Sequence, residues 1–320
     1  MDVSIVIVNW NTAGHLRAAI ASCYRHHGDL SVEVIVVDNG SSDDSVTMVR
    51  REFPEAVVIA NDDNVGYVRA GNQGIAAATG RYILMLNSDA ELTEGCLQEL
   101  VRVMDAYADI GTASAFLTYP DGAPQVCAFR FPTLWTRLLP AGRVHSVESI
   151  PIGSGEGADG CIDVGWVLGA CQIVRAAAVA DVGPMDEHIF MWYDDADWCM
   201  RMRAAGYRRV VATRAVCVHK ERRSAAAVPS LRRNLQVTMS EFTYFRLHHG
   251  RLITGILWTA RTAASALKTL VWAICNLLTL GRRKRLVEAL HFSKGRLWFH
   301  LKYAARILWL APTPCRAEDF

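Results

Sequence analysis

Lysine is absent from the first 200 residues of this 320-residue sequence. Positive charge there comes from 11 arginines alone, against 27 aspartates and glutamates, which leaves a net charge of −16. Residues 201–320 carry the opposite excess, with 23 basic and 5 acidic residues and a net charge of +18. An acidic part followed by a basic part predicts a tail that contacts a negative surface, although the two charges could instead pair within the protein.

The sequence also lacks a CxxC motif, and its nine cysteines are scattered, which argues against a disulfide framework. Its N-terminus begins with the apolar segment VSIVIV and has neither a basic region nor a cleavage site. These features predict no secretory signal and reduced thiols in the cytosol. The apolar content of 51% provides a sizeable core for one large domain or two ordinary ones.

Strand-like and helix-like segments alternate along the first part of the chain. Apolar runs of strand length are followed by helical patterns, at 3–8, 32–37, 56–60 and 81–86 for the strands and at about 12–26, 71–78 and 94–107 for the helices. This alternation predicts an α/β fold with a doubly wound, mainly parallel sheet flanked by helices. Residues 118–162 break the pattern and predict a long mobile or functional loop. An apolar run at 164–174 and a last strand at 208–218 are expected to follow.

Acidic side chains stand where these strands end. Asp38 and Asp89 each follow an apolar run, three aspartates lie in the segment DDAD at 194–197, and His219 follows the last strand. Carboxyl ends of parallel strands meet in one crevice, which is where open α/β sheets bind ligands. Together with a divalent cation, such a crevice can hold a nucleotide diphosphate, so the pattern predicts a metal-dependent sugar-nucleotide enzyme.

Asp89 is the expected metal ligand, because Mg²⁺ and Mn²⁺ prefer carboxylate oxygens. The alternative is a helix N-cap, since Thr93 and Glu94 begin a helical pattern nearby. His219 could supply a nitrogen ligand to the same cation, or be an ordinary surface or core histidine.

Asp38 could accept hydrogen bonds from the base or ribose of a nucleotide. Its side chain could equally close an Asx turn on the amide of Gly40 or Ser41. Asn9 and Asn11, after the first strand, could line the same pocket or serve as turn residues.

Asp195 is the expected general base, because like charges at short range raise the pKa of at least one carboxyl group. Asp194 or Asp197 could orient this base, cap a helix or contact acceptor hydroxyls. The alternative is an acidic first helical turn, which the helix dipole favours.

The tail is long and apolar, and Leu252–Leu280 is long enough to span a bilayer. Arg261 and Lys268 lie seven residues apart on one helical face, which favours a helix lying in the membrane interface. Basic residues follow at 282–285, and residues 297–310 mix aromatic and basic side chains. We therefore expect region 223–320 to contact an anionic membrane, or to form a helical hairpin against the catalytic domain or a partner subunit. Its apolar character argues against nucleic-acid binding.

Six segments resemble the successive blocks of inverting family 2 glycosyltransferases, most closely bacterial rhamnosyltransferases and related cell-wall enzymes. They are SIVIVNWN, VDNGSSDDSV, DNVGYVRAGNQGI, GRYILMLNSDAEL, VGWVLGACQIVR and GPMDEHIFMWYDDADWCMRMRAAGY. The resemblance covers about residues 1–222 and implies a GT-A catalytic domain there. Nucleotide-sugar binding would fall at about 1–115 and acceptor binding with catalysis at about 160–222.

The resemblance also implies a nucleoside-diphosphate-sugar donor and Mg²⁺ or Mn²⁺. Asp89 matches the last position of the family's Asp-x-Asp metal motif, whose first position is Asn87 here, a weaker ligand. Asp195 matches the family's base, and His219 falls where related enzymes place a histidine on the metal. The remaining matches are Asp38 at the nucleotide, Asn64, Gly66, Arg69 and Asn72 in the donor pocket, and Trp166, Gly169 and Ala170 near the acceptor.

These matches predict transfer of a sugar with inversion, with dTDP-rhamnose as the expected donor and a cell-surface glycan on a polyprenyl carrier as the expected acceptor. The expected location is the cytoplasmic face of a bacterial inner or plasma membrane, as a peripheral protein and possible homo-oligomer through the C-terminal helices. Two alternatives stay open. One is the same fold with a UDP-sugar donor carrying GlcNAc, Gal or galactofuranose, and the other is a non-catalytic subunit that binds sugar nucleotides or glycans.

Overall fold

The computed structural model describes residues 1–139, 141–220, 230–280 and 282–309. The chain divides into two compact units. The first comprises Met1–Phe131, His145–Glu187 and Asp194–Ala227, and the second comprises Pro132–Val144, His188–Tyr193 and Val228–Phe320. The expected boundary between regions 1–222 and 223–320 lies outside the described residues, so that division stays a prediction.

A nine-stranded sheet forms the centre of the first unit. Eleven strands are described, and they are β1 (Val3–Asn9), β2 (Val32–Asp38), β3 (Val57–Ala60), β4 (Tyr82–Asn87), β5 (Ala90–Leu92), β6 (Ile110–Thr118), β7 (Ala128–Phe129), β8 (Cys161–Asp163), β9 (Trp166–Val167), β10 (Cys171–Arg175) and β11 (Arg208–His219). The sheet order is β3-β2-β1-β4-β10-β6-β11-β5, with β8 beside β11, while β7 and β9 pair separately.

Most long strands of this sheet run parallel. β3, β2, β1 and β4 are mutually parallel, and β6 is parallel to β11. β10 runs antiparallel between β4 and β6, and the short strands β5 and β8 run antiparallel to β11. The predicted α/β fold with a mainly parallel sheet is therefore confirmed.

Helices cover both faces of the sheet, as its strand sequences require. β1 is mostly β-branched, β4 is mostly apolar, and both are buried on both faces. The described helices up to residue 220 are α1 (Ala13–Arg25), α2 (Ser45–Glu52), α3 (Tyr67–Ala77), α4 (Cys96–Ala106), α5 (Leu134–Leu138), α6 (Ala141–Glu148), α7 (Ala176–Val182) and α8 (Asp194–Ala204). α1 buries Leu16, Ala19, Ile20 and Cys23, the spacing of one helical face.

Two expectations about local structure were wrong. Residues 118–162 are not a structureless loop but contain β7, α5, α6, β8 and a 3₁₀ turn at Ala158–Gly160. These elements are two to eight residues long, too short to give a periodic signal. The third helix begins at Tyr67 rather than Gly71, because Gly71 is a packing residue inside it. A Cβ atom there would lie 2.3 Å from Met185 Cε.

The second unit contains the helices of the tail. They are α9 (Ser230–His248), α10 (Gly250–Leu278), α11 (Lys284–Lys302) and α12 (Ala304–Leu308). The long apolar segment expected at 252–280 corresponds to α10, while the one at 297–310 spans the end of α11 and α12, with Leu310 outside the described residues. Among the described helices, none has the length and apolar character needed to cross a bilayer.

The face of α10 that carries Arg261 and Lys268 is not uniform. Lys268 is exposed, but Arg261 is half-buried and donates from Nη2 to Glu241 Oε1 on α9 at 3.1 Å. The seven-residue spacing placed both on one face, but α9 covers only the Arg261 end of it. Arg261 is therefore not available as an interfacial cation.

Candidate active site

Strand register brings the predicted site residues of the first unit to one edge of the sheet. Asn9 and Asp38 are paired at the ends of β1 and β2, and Asn87 ends β4 beside Val8. β10 runs in the opposite direction, so the residues before it, rather than after it, lie at this edge. Asn87 N donates to Ala170 O at 2.9 Å, which holds the residues before β10 beside the end of β4.

Asp38 is buried and engaged through both carboxylate oxygens. Oδ2 accepts a hydrogen bond from Asn9 Nδ2 at 2.8 Å, and Oδ1 accepts one from the Ser41 amide at 2.9 Å. The second bond is the Asx turn that the sequence allowed. Asn11 is also a turn residue, with a φ of 54° and an Oδ1 that accepts from Ser42 N at 2.7 Å. Nucleotide contact by these residues stays a prediction.

A residue that the sequence did not single out, Asn39, organises the loop before α3. Its Nδ2 donates to Asn64 Oδ1 at 3.0 Å and to Gly66 O at 3.2 Å, and its Oδ1 accepts from Val65 N at 3.0 Å. Gly66 has a φ of 91°, which non-glycine residues rarely adopt, and it precedes the first residue of α3. Asn39 thus holds the predicted donor-pocket loop against the end of β2.

Two further donor-pocket candidates are held by the segment 185–187. Asn72 pairs with the backbone of Met185, donating from Nδ2 to its carbonyl at 2.9 Å and accepting from its amide at 3.0 Å. Arg69 Nε lies 3.3 Å from Glu187 Oε2. Both side chains therefore link α3 to this segment, and their predicted donor contacts are untested.

Asn87, Asp89 and His219 come together as the candidate metal site. His219 Nε2 lies 3.4 Å from Asp89 Oδ1 and 3.4 Å from Asn87 Nδ2. Ligands about 2.1 Å from an octahedral cation lie about 3 Å apart, so the first separation is close to that of two neighbouring ligands. Asp89 does not cap the following helix, which begins only at Cys96 with Gly95 before it.

Gln125 sets the orientation of the His219 ring, and nothing in the sequence pointed to it. Gln125 Oε1 lies 2.9 Å from His219 Nδ1, and both side chains are buried. An amide oxygen accepts a hydrogen bond from Nδ1–H, which leaves the lone pair of a neutral ring on Nε2, the atom that faces Asp89. The donor set of one imidazole nitrogen, one carboxylate and one amide oxygen fits a divalent cation. Within the described part of the chain, no group of three His, Cys, Asp or Glu side chains is arranged so that it could hold a metal ion.

Asp195 lies at the start of α8, and its two carboxylate oxygens accept backbone hydrogen bonds. Oδ1 accepts from Ala196 N at 2.8 Å and Oδ2 from Gly169 N at 3.3 Å. Burial raises the pKa of the Asp195 carboxyl well above its usual range, and the neighbouring Asp194 carboxylate raises it further. A carboxylate with a raised pKa is the stronger base.

Tyr67 lies near the Asp195 carboxylate, whereas Asp197 pairs with Arg201. Burial, followed by Asp194 and Asp195, raises the pKa of the Tyr67 phenol, which therefore stays a neutral hydrogen-bond donor close to both aspartates. The sequence did not identify Tyr67. Asp197 is almost fully buried and pairs with Arg201 at 2.9 Å, so its side chain stabilises α8, and its acceptor contact stays a prediction.

The segment Gly169–Ala170 joins the candidate base to the candidate metal site. Gly169 N donates to Asp195 at 3.3 Å, and Ala170 O accepts from Asn87 at 2.9 Å. Trp166, which precedes it, stacks on Phe129 with ring centroids 4.2 Å apart. One short segment therefore fixes the spacing between the two ends of the site.

Comparison with known proteins bears on the family and the fold of the chain. Residues 4–126 match the sequence profile of glycosyl transferase family 2. Residues 4–126 therefore carry a glycosyl transferase family 2 domain. A relative named N-acetylglucosaminyl-diphospho-decaprenol L-rhamnosyltransferase, from Mycobacterium tuberculosis, is 24% identical over 319 residues, which cover 90% of this chain and 98% of that protein.

Two solved structures share the fold of this chain. The mannosyltransferase PcManGT from Pyrobaculum calidifontis, solved with GDP-Man and Mn²⁺, aligns with a TM-score of 0.50 and 16% identity over 96% of this chain and 87% of its own. Residues 1–349 of S. aureus TarS align with a TM-score of 0.50 and 14% identity over 96% of this chain and 92% of their own. The predicted GT-A fold is confirmed, and the protein is a glycosyltransferase.

Proposed function

We propose that this glycosyltransferase moves a rhamnosyl group from dTDP-rhamnose, with inversion, to a glycan acceptor carried on a polyprenyl diphosphate. The Mycobacterium tuberculosis relative supports the donor and acceptor class, because its name specifies rhamnose and a decaprenol-linked acceptor. The observation that carries the reaction type is the link from Asp195 through Gly169 and Ala170 to Asn87. It holds one base at a fixed distance from one candidate metal site.

In the proposed reaction, Asp195 accepts the proton of an acceptor hydroxyl group. The acceptor oxygen forms a bond to the anomeric carbon while the bond from that carbon to the diphosphate breaks, and the bonding electrons leave with the diphosphate. Asp194 keeps the pKa of Asp195 raised, and Tyr67 provides a neutral donor beside both. A single base with one displacement gives inversion at the anomeric carbon.

Asp89 and His219 would hold a divalent cation, with the amide oxygen of Asn87 as a third ligand after rotation of that amide. Such a cation, Mg²⁺ or Mn²⁺, supplies positive charge against the leaving diphosphate. Asp38 and Asn9 lie at the ends of the neighbouring strands, and we propose that they bind the nucleoside. Asn64, Gly66, Arg69 and Asn72 would line the donor pocket, and Trp166, Gly169, Ala170 and Asp197 would face the acceptor.

The second unit would bring the enzyme to the cytoplasmic leaflet of a bacterial membrane. α10 exposes an apolar stripe, the α10 stripe, made of Leu267, Leu270, Val271, Ile274, Leu277 and Leu278. Four exposed cations follow it at 282–285. Apolar surface beside clustered cations is typical of helices that lie on anionic membranes. Self-association through the same stripe is the alternative that a vesicle experiment would separate.

A donor screen tests the proposal. Purified protein with Mg²⁺ or Mn²⁺ is incubated with dTDP-rhamnose, UDP-GlcNAc, UDP-Gal, UDP-galactofuranose or GDP-mannose, and nucleoside diphosphate release is recorded. We expect release with dTDP-rhamnose that Asp89→Ala abolishes and that Glu55→Ala, a change at an exposed carboxylate of the first unit, leaves unchanged. Selective release from a UDP-sugar would overturn the rhamnosyl assignment. Release from no donor, with or without an acceptor, would favour a binding subunit.

A further inference from the structure

Among the described residues of the second unit, positively charged side chains outnumber negatively charged ones where α9, α10 and α11 pack together. Glu241 on α9 is buried, and its Oε1 accepts from Arg261 Nη2 at 3.1 Å and from Tyr193 Oη at 3.3 Å. Arg137 Nε lies 3.7 Å from the same oxygen. The single carboxylate of Glu241 therefore lies near two guanidinium groups, those of Arg261 and Arg137.

Arg296 on α11 adds a third guanidinium that is not matched. Its Nε is buried, and the side chain forms no hydrogen bond or ion pair with any residue in the described ranges. Burial lowers the pKa of Arg296, and the nearby charge of Arg261 lowers it further, more than Glu241 restores. The positive charge at this position is therefore destabilised by its surroundings.

His300 lies one helical turn after Arg296 and is fully buried. Neither ring nitrogen has a hydrogen-bond partner among the described residues. Burial, then Arg296 and Arg261, lowers the pKa of His300 to about 4. Buried polar groups are nearly always paired in folded proteins, so two unpaired nitrogens beside an unpaired guanidinium point to a missing partner.

We propose that Arg261, Arg296 and His300 form a binding site for a phosphate-bearing anion, of the class of phosphate monoesters and diphosphates. Guanidinium groups pair with phosphate through two parallel N–H donors and keep their charge when partly buried. An anion would supply the negative charge that Arg296 lacks among the described residues, whereas a neutral ligand would not.

A neighbouring groove indicates which phosphate compound fits best. An open groove of about 680 Å³ is lined mainly by apolar side chains, among them Leu252, Ile256, Leu308 and Trp309. Trp258 also lines it and donates from Nε1 to the carbonyl of His300 at 3.1 Å, so groove and cluster share a wall. A prenyl diphosphate offers an isoprenoid chain and a diphosphate together. This choice of ligand rests on the proposed lipid-linked acceptor, whereas the anion site itself does not.

Calorimetry with inorganic pyrophosphate tests the anion site. The titration is performed in EDTA, so that phosphate groups cannot be held by a cation in the first unit, and at constant ionic strength. We expect saturable binding that Arg296→Gln weakens at least tenfold and Arg296→Lys weakens less. Lys294→Gln, a change at an exposed position of the same helix, should leave binding unchanged. Because Arg296→Gln removes an unpaired charge, the variant should unfold at the same or a higher temperature than the parent.

Two further ligands identify the source of the phosphate. Farnesyl diphosphate should bind more tightly than pyrophosphate and lose affinity in Arg296→Gln. If phosphatidylglycerol vesicles compete with pyrophosphate for the protein and farnesyl diphosphate does not, the prenyl ligand is rejected in favour of a phospholipid headgroup. Absence of saturable pyrophosphate binding, or equal weakening by Lys294→Gln, would overturn the site. Sugar transfer is measured separately, so Arg296-dependent binding without transfer would reject the proposed function and keep this inference.

Discussion

Replacement of Asp195 by asparagine should have opposite effects on activity and on the stability of the fold. The change keeps the shape of the side chain but removes its negative charge and its ability to accept a proton. The amide oxygen can still accept one of the two backbone hydrogen bonds, from Ala196 or from Gly169. Loss of a general base lowers rates by about 10²–10⁴-fold, so we expect kcat to fall by this amount. The KM for the donor should change little, because Asp38 and Asp89 are untouched.

The same substitution should stabilise the fold at neutral and higher pH. The folded protein raises the pKa of Asp195, so it favours the protonated carboxyl group. The stabilisation from that proton is complete below the ordinary pKa of an aspartate and is lost as the pH rises through the raised value. Asparagine is neutral throughout, so the variant should be the more stable protein above the raised pKa and lose that advantage in acid. In the parent enzyme, kcat should rise with pH through the same pKa.

The assay combines nucleoside diphosphate release with thermal unfolding at acidic and alkaline pH. Asp197→Asn, the same change two positions later, serves as the comparison for stability. It breaks a largely buried ion pair with Arg201, whose side chain is 24% exposed, and should cost about 1–3 kcal/mol. Near-normal kcat in Asp195→Asn would refute the base assignment. Lower stability of Asp195→Asn at alkaline pH would refute the argument that a buried charge is destabilised there.

Two further predictions concern the metal site and the membrane. Gln125→Leu should weaken Mn²⁺ binding about 10–100-fold, measured by electron paramagnetic resonance without substrate, because the His219 ring loses the acceptor that orients it. Gln125→Glu, which keeps an acceptor, should retain most of the affinity, and equal loss in both would contradict the orienting role. Replacing Leu277 and Leu278 of the α10 stripe by serine should reduce flotation with phosphatidylglycerol vesicles about tenfold or more. Val57→Ser, a change at an exposed strand position, should leave flotation unchanged. If the parent protein self-associates with rising concentration but does not float with vesicles, the stripe is an oligomer interface instead.

The parts of the fold that follow from the sequence are those set by continuous burial. β1, β2 and β4 are predictable because a strand covered by helices on both faces is apolar along most of its length. The parallel arrangement then places the residue after each strand at one edge of the sheet. Asp38, Asn87 and Asp89 can therefore be grouped from the amino-acid sequence alone.

The parts that did not follow depend on contacts between distant residues. Gln125 and His219 are 94 positions apart, and Gln125 lies in a region without periodic signal. Asn39 resembles any other turn residue until its bonds to Asn64, Val65 and Gly66 are seen. The reversed strand β10 could not be distinguished from a parallel one, because a buried run of five residues has the same composition in either direction.

At the candidate metal site, Asn87 stands where the resemblance expects an aspartate, which lowers the negative charge that the site would offer a cation. Two carboxylates at 87 and 89 would repel each other and bind a cation strongly even without substrate. With one carboxylate, one imidazole and one amide, the protein alone offers a single negative charge beside His219. The donor diphosphate would then supply most of the remaining negative charge. Asp89 is the one carboxylate among the three candidate ligands, so we expect donor and cation to bind together.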